Sequence, residues 1–323
     1  MKAAVLHRFG KAPRYEDFAD PTPGQNEIVI QVKAVPLENI DRAMAKGTHF
    51  ASRQFLPKLP AILGSDGIGQ TEDGRLIGFG GMRPPYGALA ERVAIPNTHQ
   101  VPVPDGVDAL TAAAVPSSTL TALFPLKWGA KLQPGETVLV NGATGFAGKL
   151  AIQVAKLLGA GRVVGTGRNE AALQSLRALG ADSVIDLKQS TDRLAKAFKD
   201  EAGETGYNII LDFLWGRPTE EMIKTLVPDK LSFARGRARL VQIGEMAGAT
   251  IALSADALRT SGLEITGAGA GLTPEGIGEG ASQVWDWIKA GKLRAEIEAV
   301  PLRDVERAWK RTDLHGKRIA IVP

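Results

Sequence analysis

VNGATGFAGKLAIQVAKLLGA, residues 140–160, opens as the end of a strand, turns on glycines and continues as a helix. Ala143, Gly145 and Gly148 keep the A-x-G-x-x-G spacing of a dinucleotide-binding turn, with Gly142 just before it and Thr144, Phe146 and Ala147 between. Glycine lets the chain turn sharply and lets a pyrophosphate approach with no Cβ in the way. Beyond the turn, Ala147, Leu150, Ala151, Val154, Leu157 and Leu158 recur at helical spacing. Before it, ETVLV at 136–140 reads as a buried strand. The turn therefore sits at a helix N-terminus, where unpaired N–H groups and the helix dipole favour an anion. Glycine spacing by itself would also serve close helix–sheet packing; the flanking strand and helix are what point to a cofactor cradle.

Working outward, strand and helix alternate. Apolar runs predict strands at 137–141, 162–166, 183–187, 208–213, 238–243 and 264–267, with helices at 170–179, 191–202 and 218–227 between them. Such βαβ units imply a doubly wound parallel sheet that binds its ligand at the carboxyl ends of the strands. The backbone at Phe213–Leu214, Ile243–Gly244 and Gly267-Ala268-Gly269 is accordingly expected to line the cofactor, as are Gly165 and Thr166 after the second strand. NAD-binding versions of this fold carry an acid about 20 residues past the turn to accept from the ribose hydroxyl. Here that position is Arg168, in GTGRN, with no carboxylate before it in the strand. An arginine fork suits a 2′-phosphate, so the cofactor is expected to be NADP(H); the competing reading is a solvated residue at the start of the next helix.

The first 115 residues differ. Residues 28–35 alternate with a period of two, and short strands at 76–80, 88–95 and 100–103 follow amid Gly and Pro, so this part is mostly β. After residue 270, helices around Trp285 and Trp309 alternate with strands at 295–300 and 318–322. The 323 residues, 44% hydrophobic and 23% charged, suit a two-domain globular protein. No window is expected to reach membrane-span length, the N-terminus reads as a strand, and the compartment expected is the cytoplasm. Cysteine is absent, which excludes disulfides, thiolate catalysis and cysteine-ligated metal. A net charge of +4 carries no dense basic run. The nearest, Arg235-Gly-Arg-Ala-Arg239, reads as a solvated loop before a strand, and nucleic acid is not an expected partner.

The chain resembles the medium-chain dehydrogenase/reductase superfamily, in its zinc-independent quinone oxidoreductase-like branch. The resemblance rests on MKAAVL at 1–6, AVPLENID at 34–41, GSDGIG at 64–69, GALAE at 87–91, LQPGETV at 132–138, the glycine turn, GAD at 180–182, GKL at 291–293 and GK at 316–317, in that order. It implies an α/β protein with a Rossmann doubly wound parallel sheet inserted in a GroES-like, mostly β domain. Residues 1–121 with 266–323 would form the catalytic and substrate domain, and 122–265 the dinucleotide-binding domain. The late position of the turn follows, because the cofactor domain is the middle of the chain. GATGFAG also resembles the turn of extended short-chain reductases, which need a Tyr with a Lys four residues on. Tyr15, Tyr86 and Tyr207 are followed at that distance by Ala19, Ala90 and Leu211, so that likeness fails.

Zinc-dependent relatives carry Gly-His-Glu where this chain has Gly64-Ser65-Asp66, and they need cysteine and histidine ligands. With four scattered histidines and no cysteine, no metal site is expected, and Ser65 and Asp66 read as turn residues at a strand start. The resemblance then implies hydride transfer from NADPH to a quinone or an α,β-unsaturated carbonyl by a homodimer. It places Thr121 beside the nicotinamide, although Thr121 could equally cap its own helix. Asp41 matches a family aspartate, with either a direct role or one of orienting a short helix. His49 stands where many relatives have a tyrosine and could donate a proton, or lie idle on the surface. Tyr86 and Trp215 could wall a planar substrate or simply pack. Solvent as proton donor stays open. Two further readings stand beside this one: an enoyl-thioester reductase on the same scaffold, and a non-enzymatic NADPH-binding sensor or RNA-binding, crystallin-like protein.

Overall fold

A computed structural model describes residues 1–228, 236–269 and 272–323. It forms two compact units, Met1–Ser117 with Glu296–Pro323, and Ser118–Ala295. The expected division at 121/122 and 265/266 differs from this mainly at the second junction. Residues 266–295 stay with the middle unit, because Val284 and Trp287 are buried in its core with Val138, Val140 and Leu123.

The first unit contains strands β1 (Lys2–Leu6), β2 (Arg14–Asp17), β3 (Glu27–Pro36), β4 (Ala61–Ile62), β5 (Asp66–Gln70), β6 (Leu76–Gly80), β7 (Arg92–Pro96) and β8 (Gln100–Pro102). Two short helices, α1 (Asn39–Lys46) and α2 (Ser52–Phe55), lie between β3 and β4. β1 runs between β2 and β4 in a small antiparallel sheet, which buries Ala3 through Leu6 completely. β3 is the period-two stretch; it pairs with β7 at Glu27–Gln31 and with β5 through a register shift between Val32 and Ala34. The strand expected from residue 88 begins only at Arg92. Ala88 and Leu89 instead donate their amides to Gly64 and Leu63. A Cβ on Gly87 would lie 2.4 Å from the Ile62 carbonyl oxygen, so only glycine allows that approach.

A long helix follows, α3 (Ala109–Phe124), continuing as a π-helical turn at Pro125–Gly129. The sequence reads as a helix start only near Thr121, whereas the helix begins at Ala109 and carries Pro116 inside it. The expectation that no window reaches span length is also corrected. Ala109–Gly129 is 21 residues long and holds an 18-residue window with a mean hydropathy of 1.4, enough by length and composition to cross a membrane. Of that window 61% is buried within the protein, as in a core helix.

The middle unit alternates β9 (Thr137–Asn141), α4 (Phe146–Leu157), β10 (Arg162–Gly167), α5 (Glu170–Ser175), β11 (Ser183–Asp186), α6 (Thr191–Ala202), β12 (Ile209–Asp212), α7 (Gly216–Leu226), β13 (Ala238–Gln242), α8 (Ala255–Thr260), β14 (Leu263–Gly267) and α9 (Pro274–Lys289). The sheet is parallel, in the order β11-β10-β9-β12-β13-β14. The winding reverses between β9 and β12, which makes their carboxyl ends the crevice of this architecture. β9 and β12 are buried at every residue, as strands covered on both faces must be. Each Val, Leu or Ile so buried contributes about 1.5–3 kcal/mol. α7 starts at Gly216, two residues before the expected Pro218. Of the arginine run, Arg235 lies outside the described residues. Arg239 is not solvated: it lies in β13, paired with Glu136 and donating to the Ala130 carbonyl.

The chain then re-enters the first unit with β15 (Ile297–Pro301), α10 (Val305–Trp309) and β16 (Arg318–Val322). β15 pairs with β16, and β16 pairs with the end of β3, which closes a mixed β sheet.

Candidate functional site

The glycine turn has two kinds of glycine. A Cβ on Gly148 would lie 2.4 Å from the Gly142 carbonyl oxygen and 2.7 Å from Ala143 Cα, so Gly148 lets α4 press against the turn. Gly142 turns the chain at φ 96°, with Leu214 packed over it. Gly145, at the N-cap of α4, is exposed, and a Cβ there would meet only the Gly142 oxygen, at 3.7 Å. The first i→i−4 bond of α4 runs from Lys149 N–H to Gly145 O (2.9 Å). A helix N-terminus, with its dipole and opening amides, favours an anion, and Gly145 leaves its own Cβ side free at this one. That cradle fits a pyrophosphate.

Beneath it lies a buried polar knot that sequence reasoning missed. Gly142 N–H donates to Thr166 Oγ1 (3.0 Å), and that hydroxyl donates to Asn141 Oδ1 (2.8 Å). Asn141 Nδ2 donates to Asp212 Oδ1 (3.0 Å). The same oxygen accepts from the Leu214 and Trp215 amides (3.0 and 3.1 Å), and Thr219 Oγ1 donates to Asp212 Oδ2 (2.5 Å). Asn141, Thr166, Asp212 and Thr219 are wholly buried. A readable signal existed: TVLV and IIL are apolar runs that each stop on one polar residue, Asn141 and Asp212.

The expected cofactor residues fall into two groups. Ala143 is buried with its amide on Thr166 O (2.8 Å), and a Cβ on Gly165 would meet Leu176 at 2.9 Å, so both serve packing of the turn. Thr166 spends its hydroxyl on the knot, and Phe146 is buried. Accessible are Gly145, Thr144, Ala147, Gly267, Ala268 and Gly269, all partly or fully exposed. Phe213 and Leu214 flank the turn, Gly244 packs on the Phe213 carbonyl, and the Ile243 and Gly244 amides both reach Asp212 O. Arg168 is exposed just past β10, directly before the α5 N-cap Asn169, and has no hydrogen bond or ion pair among the described residues. Thr121 lies in the last turn of α3, so it is not an N-cap.

Asp41, His49 and Tyr86 belong to the first unit. Asp41 is buried in α1, and its Oδ2 accepts from Glu38 N–H (2.8 Å). Burial pushes its carboxyl up to about 8; the Glu38 amide and Arg318 oppose the shift, and the charges of Glu38 and Asp66 add to it. Asp66, also raised by burial, reaches about 6. Arg318 stands among these carboxylates, 3.4 Å from Glu38, and donates to Leu37 O (3.0 Å). His49 Nδ1 accepts from Ala51 N–H (3.2 Å), so the neutral ring carries its proton on Nε2. His49 also stacks on the exposed Phe50, with ring centroids 4.4 Å apart. Tyr86 packs edge-on to Phe18, reaches Asp20 O (3.3 Å) and lines a 190 Å³ cavity with Pro21, Arg83 and Pro84.

Zinc does not fit the donors present. Cysteine is absent, Ser65 donates to Asp66 (3.0 Å), and among the described residues no group of three or more His, Asp or Glu could hold a metal.

A family model described as zinc-binding dehydrogenase matches residues 147–289. A quinone oxidoreductase of Pseudomonas aeruginosa is 28% identical over 94% of this chain and 92% of its own. A trans-enoyl reductase of Aspergillus terreus is 28% identical over 86% and 79%. The quinone oxidoreductase of Thermus thermophilus, whose structures include a complex with NADPH, is 30% identical, with full coverage of both chains and a TM-score of 0.79. The chain belongs to the medium-chain dehydrogenase/reductase superfamily, in its quinone oxidoreductase-like branch.

Proposed function

We propose that this chain is an NADPH-dependent oxidoreductase that reduces quinones or activated alkenes without a metal. The observation that carries the reading is the open space at Gly145 over the first turn of α4, with the guanidinium of Arg168, which has no partner among the described residues, after the neighbouring strand. The amides of that turn would hold the pyrophosphate, and Arg168 the 2′-phosphate. Bound NADPH supplies a hydride. Acceptors whose incoming charge spreads onto an oxygen need only a hydrogen-bond donor there. In the first unit His49 is our choice for that donor, since its Nδ1 is engaged and Nε2 carries the proton; solvent is the alternative. The NADPH complex of the Thermus relative supports the cofactor; a homodimer in the cytoplasm is part of the same proposal.

The test is stopped-flow oxidation of NADPH against quinones, enones and enoyl thioesters, with NADH in parallel. Fast turnover of quinones or enones with NADPH is the expected result; faster turnover with NADH overturns the Arg168 assignment. The Aspergillus relative favours a second reading, an enoyl-thioester reductase, which predicts that the thioesters are the best acceptors. Cofactor uptake with no oxidation by any acceptor would favour a sensor or another non-enzymatic role.

A further inference from the structure

The knot under the glycine turn does more than satisfy buried atoms. Asp212 receives four donors from three places: Asn141 at the end of β9, the Leu214 and Trp215 amides after β12, and Thr219 in α7. Through Asn141 and Thr166 the chain of bonds continues to the Gly142 amide, the first residue of the turn. One carboxylate therefore holds both the phosphate turn and the loop facing it across the β9–β12 reversal. The loop is held under strain. Trp215 has φ 54° and ψ −165°, a conformation that L-residues avoid, and its own amide is one of the groups Asp212 grips. Gly216 follows at φ 61°, and a Cβ on it would lie 2.8 Å from the Ala247 carbonyl oxygen, so the strained bend seats one loop against another.

We propose that Asp212 is the positioning residue of the nucleotide site, locking the Gly142 turn and the Leu214–Trp215 loop in the one register that admits the cofactor. This rests on the reading of that crevice as an NADPH site. Asp212 has no exposed surface, so it acts through the groups it orients rather than by touching the ligand. An amide at 212 keeps the shape but turns one acceptor into a donor, which faces either the donating hydroxyl of Thr219, in the place of Oδ2, or Asn141 Nδ2 and the Leu214 and Trp215 amides, in the place of Oδ1.

The experiment measures NADPH affinity by fluorescence titration, together with hydrogen–deuterium exchange at 212–216, in the full-length protein. Asp212→Asn is expected to raise the NADPH Kd and KM at least tenfold, to leave the acceptor KM within about twofold, and to speed exchange at Leu214 and Trp215. Thr219→Ser, which returns a hydroxyl donor to Asp212 Oδ2 where Thr219→Val removes it, is the rescue variant and should keep the Kd within about 1.5-fold of wild type. A merely structural role would lower thermal stability without this split or this rescue. Should Asp212→Asn fail to fold, Thr219→Val, which removes the hydroxyl that donates to Asp212 and accepts from Asn141, is expected to raise the Kd about threefold. The inference falls if the wild type binds NADPH and the folded variant binds it within twofold as tightly. A wild type that takes up neither NADPH nor NADH instead removes the site reading beneath it.

Discussion

Two regions bury carboxylates, and they do so in opposite ways. At the carboxyl ends of the parallel sheet, Asp212 is completely enclosed and met by four donors. In the first unit, Asp41 is nearly as buried, but the donor that meets it is the Glu38 amide, and its surroundings include Glu38 and Asp66 as well as Arg318. Burial of a charge is costly unless hydrogen bonds replace the lost water. The difference teaches that the number of inward-pointing donors, more than depth, decides what a buried acid can do. Asp212 fixes geometry; Asp41 makes the first unit sensitive to pH.

Four outcomes would break or sharpen that contrast, the largest first. Gly148→Ala puts a methyl 2.4 Å from the Gly142 oxygen, and the turn and the knot behind it must shift. A loss of about 1–3 kcal/mol is expected, read as a lower denaturant midpoint together with loss of NADPH binding. A midpoint unchanged from wild type would mean that the turn is not packed as described.

The second concerns pH. Asp41 and Asp66 have folded-state values raised from 3.8 to about 8 and about 6. A raised carboxylate binds its proton more tightly when folded, so its contribution is complete below the unfolded value and is lost as pH climbs to the folded value. Stability should fall from pH 4 upward, through the contributions of both acids to about pH 6 and of Asp41 alone from there to about pH 8. The slope is at most roughly 1.4 kcal/mol per pH unit per group. Asp41→Asn, whose carbonyl can still accept from Glu38 N–H, should flatten the melting temperature between pH 6 and 8. A slope unchanged in that variant would assign the effect elsewhere.

Third, Arg168→Ala should weaken NADPH about tenfold while leaving NADH unchanged, a loss of about 1.4 kcal/mol in a charge-assisted contact. Equal losses for both nucleotides would show that the arginine does not read the 2′-phosphate. The smallest structural effect is expected at Gly145→Ala, where a Cβ meets nothing nearer than 3.7 Å. Thermal stability should stay within about 0.5 kcal/mol of wild type, while NADPH affinity falls because the methyl enters the cradle. The pair Gly148 and Gly145 thus separates packing from binding within one motif.

Much of the middle unit was legible. β9 spans the predicted 137–141, α6 the predicted 191–202, and the other strands lie within a residue or two, because each unit announces itself by a local period and a glycine or polar stop. The first unit was legible only as mostly β, since its strands are short and two of them join from the far end of the chain. α3 was legible only as a helix start near Thr121, whereas it begins at Ala109 and carries Pro116 inside it. Of the candidate site, the open glycine and Arg168 could be read from spacing, but which glycines pack and which stand clear could not.

Read alone, the residues determined the alternating middle, the glycine turn at a helix start, an arginine 20 residues past that turn and the lack of cysteine ligands. All of these depend on neighbours in the chain. Only the tertiary structure joined Asn141, Thr166, Asp212 and Thr219, up to 78 residues apart, into one knot, or set Arg318 among Glu38, Asp41 and Asp66. The physical reason is that a buried polar group is defined by its partners, and those partners are chosen by how strands are ordered in a sheet.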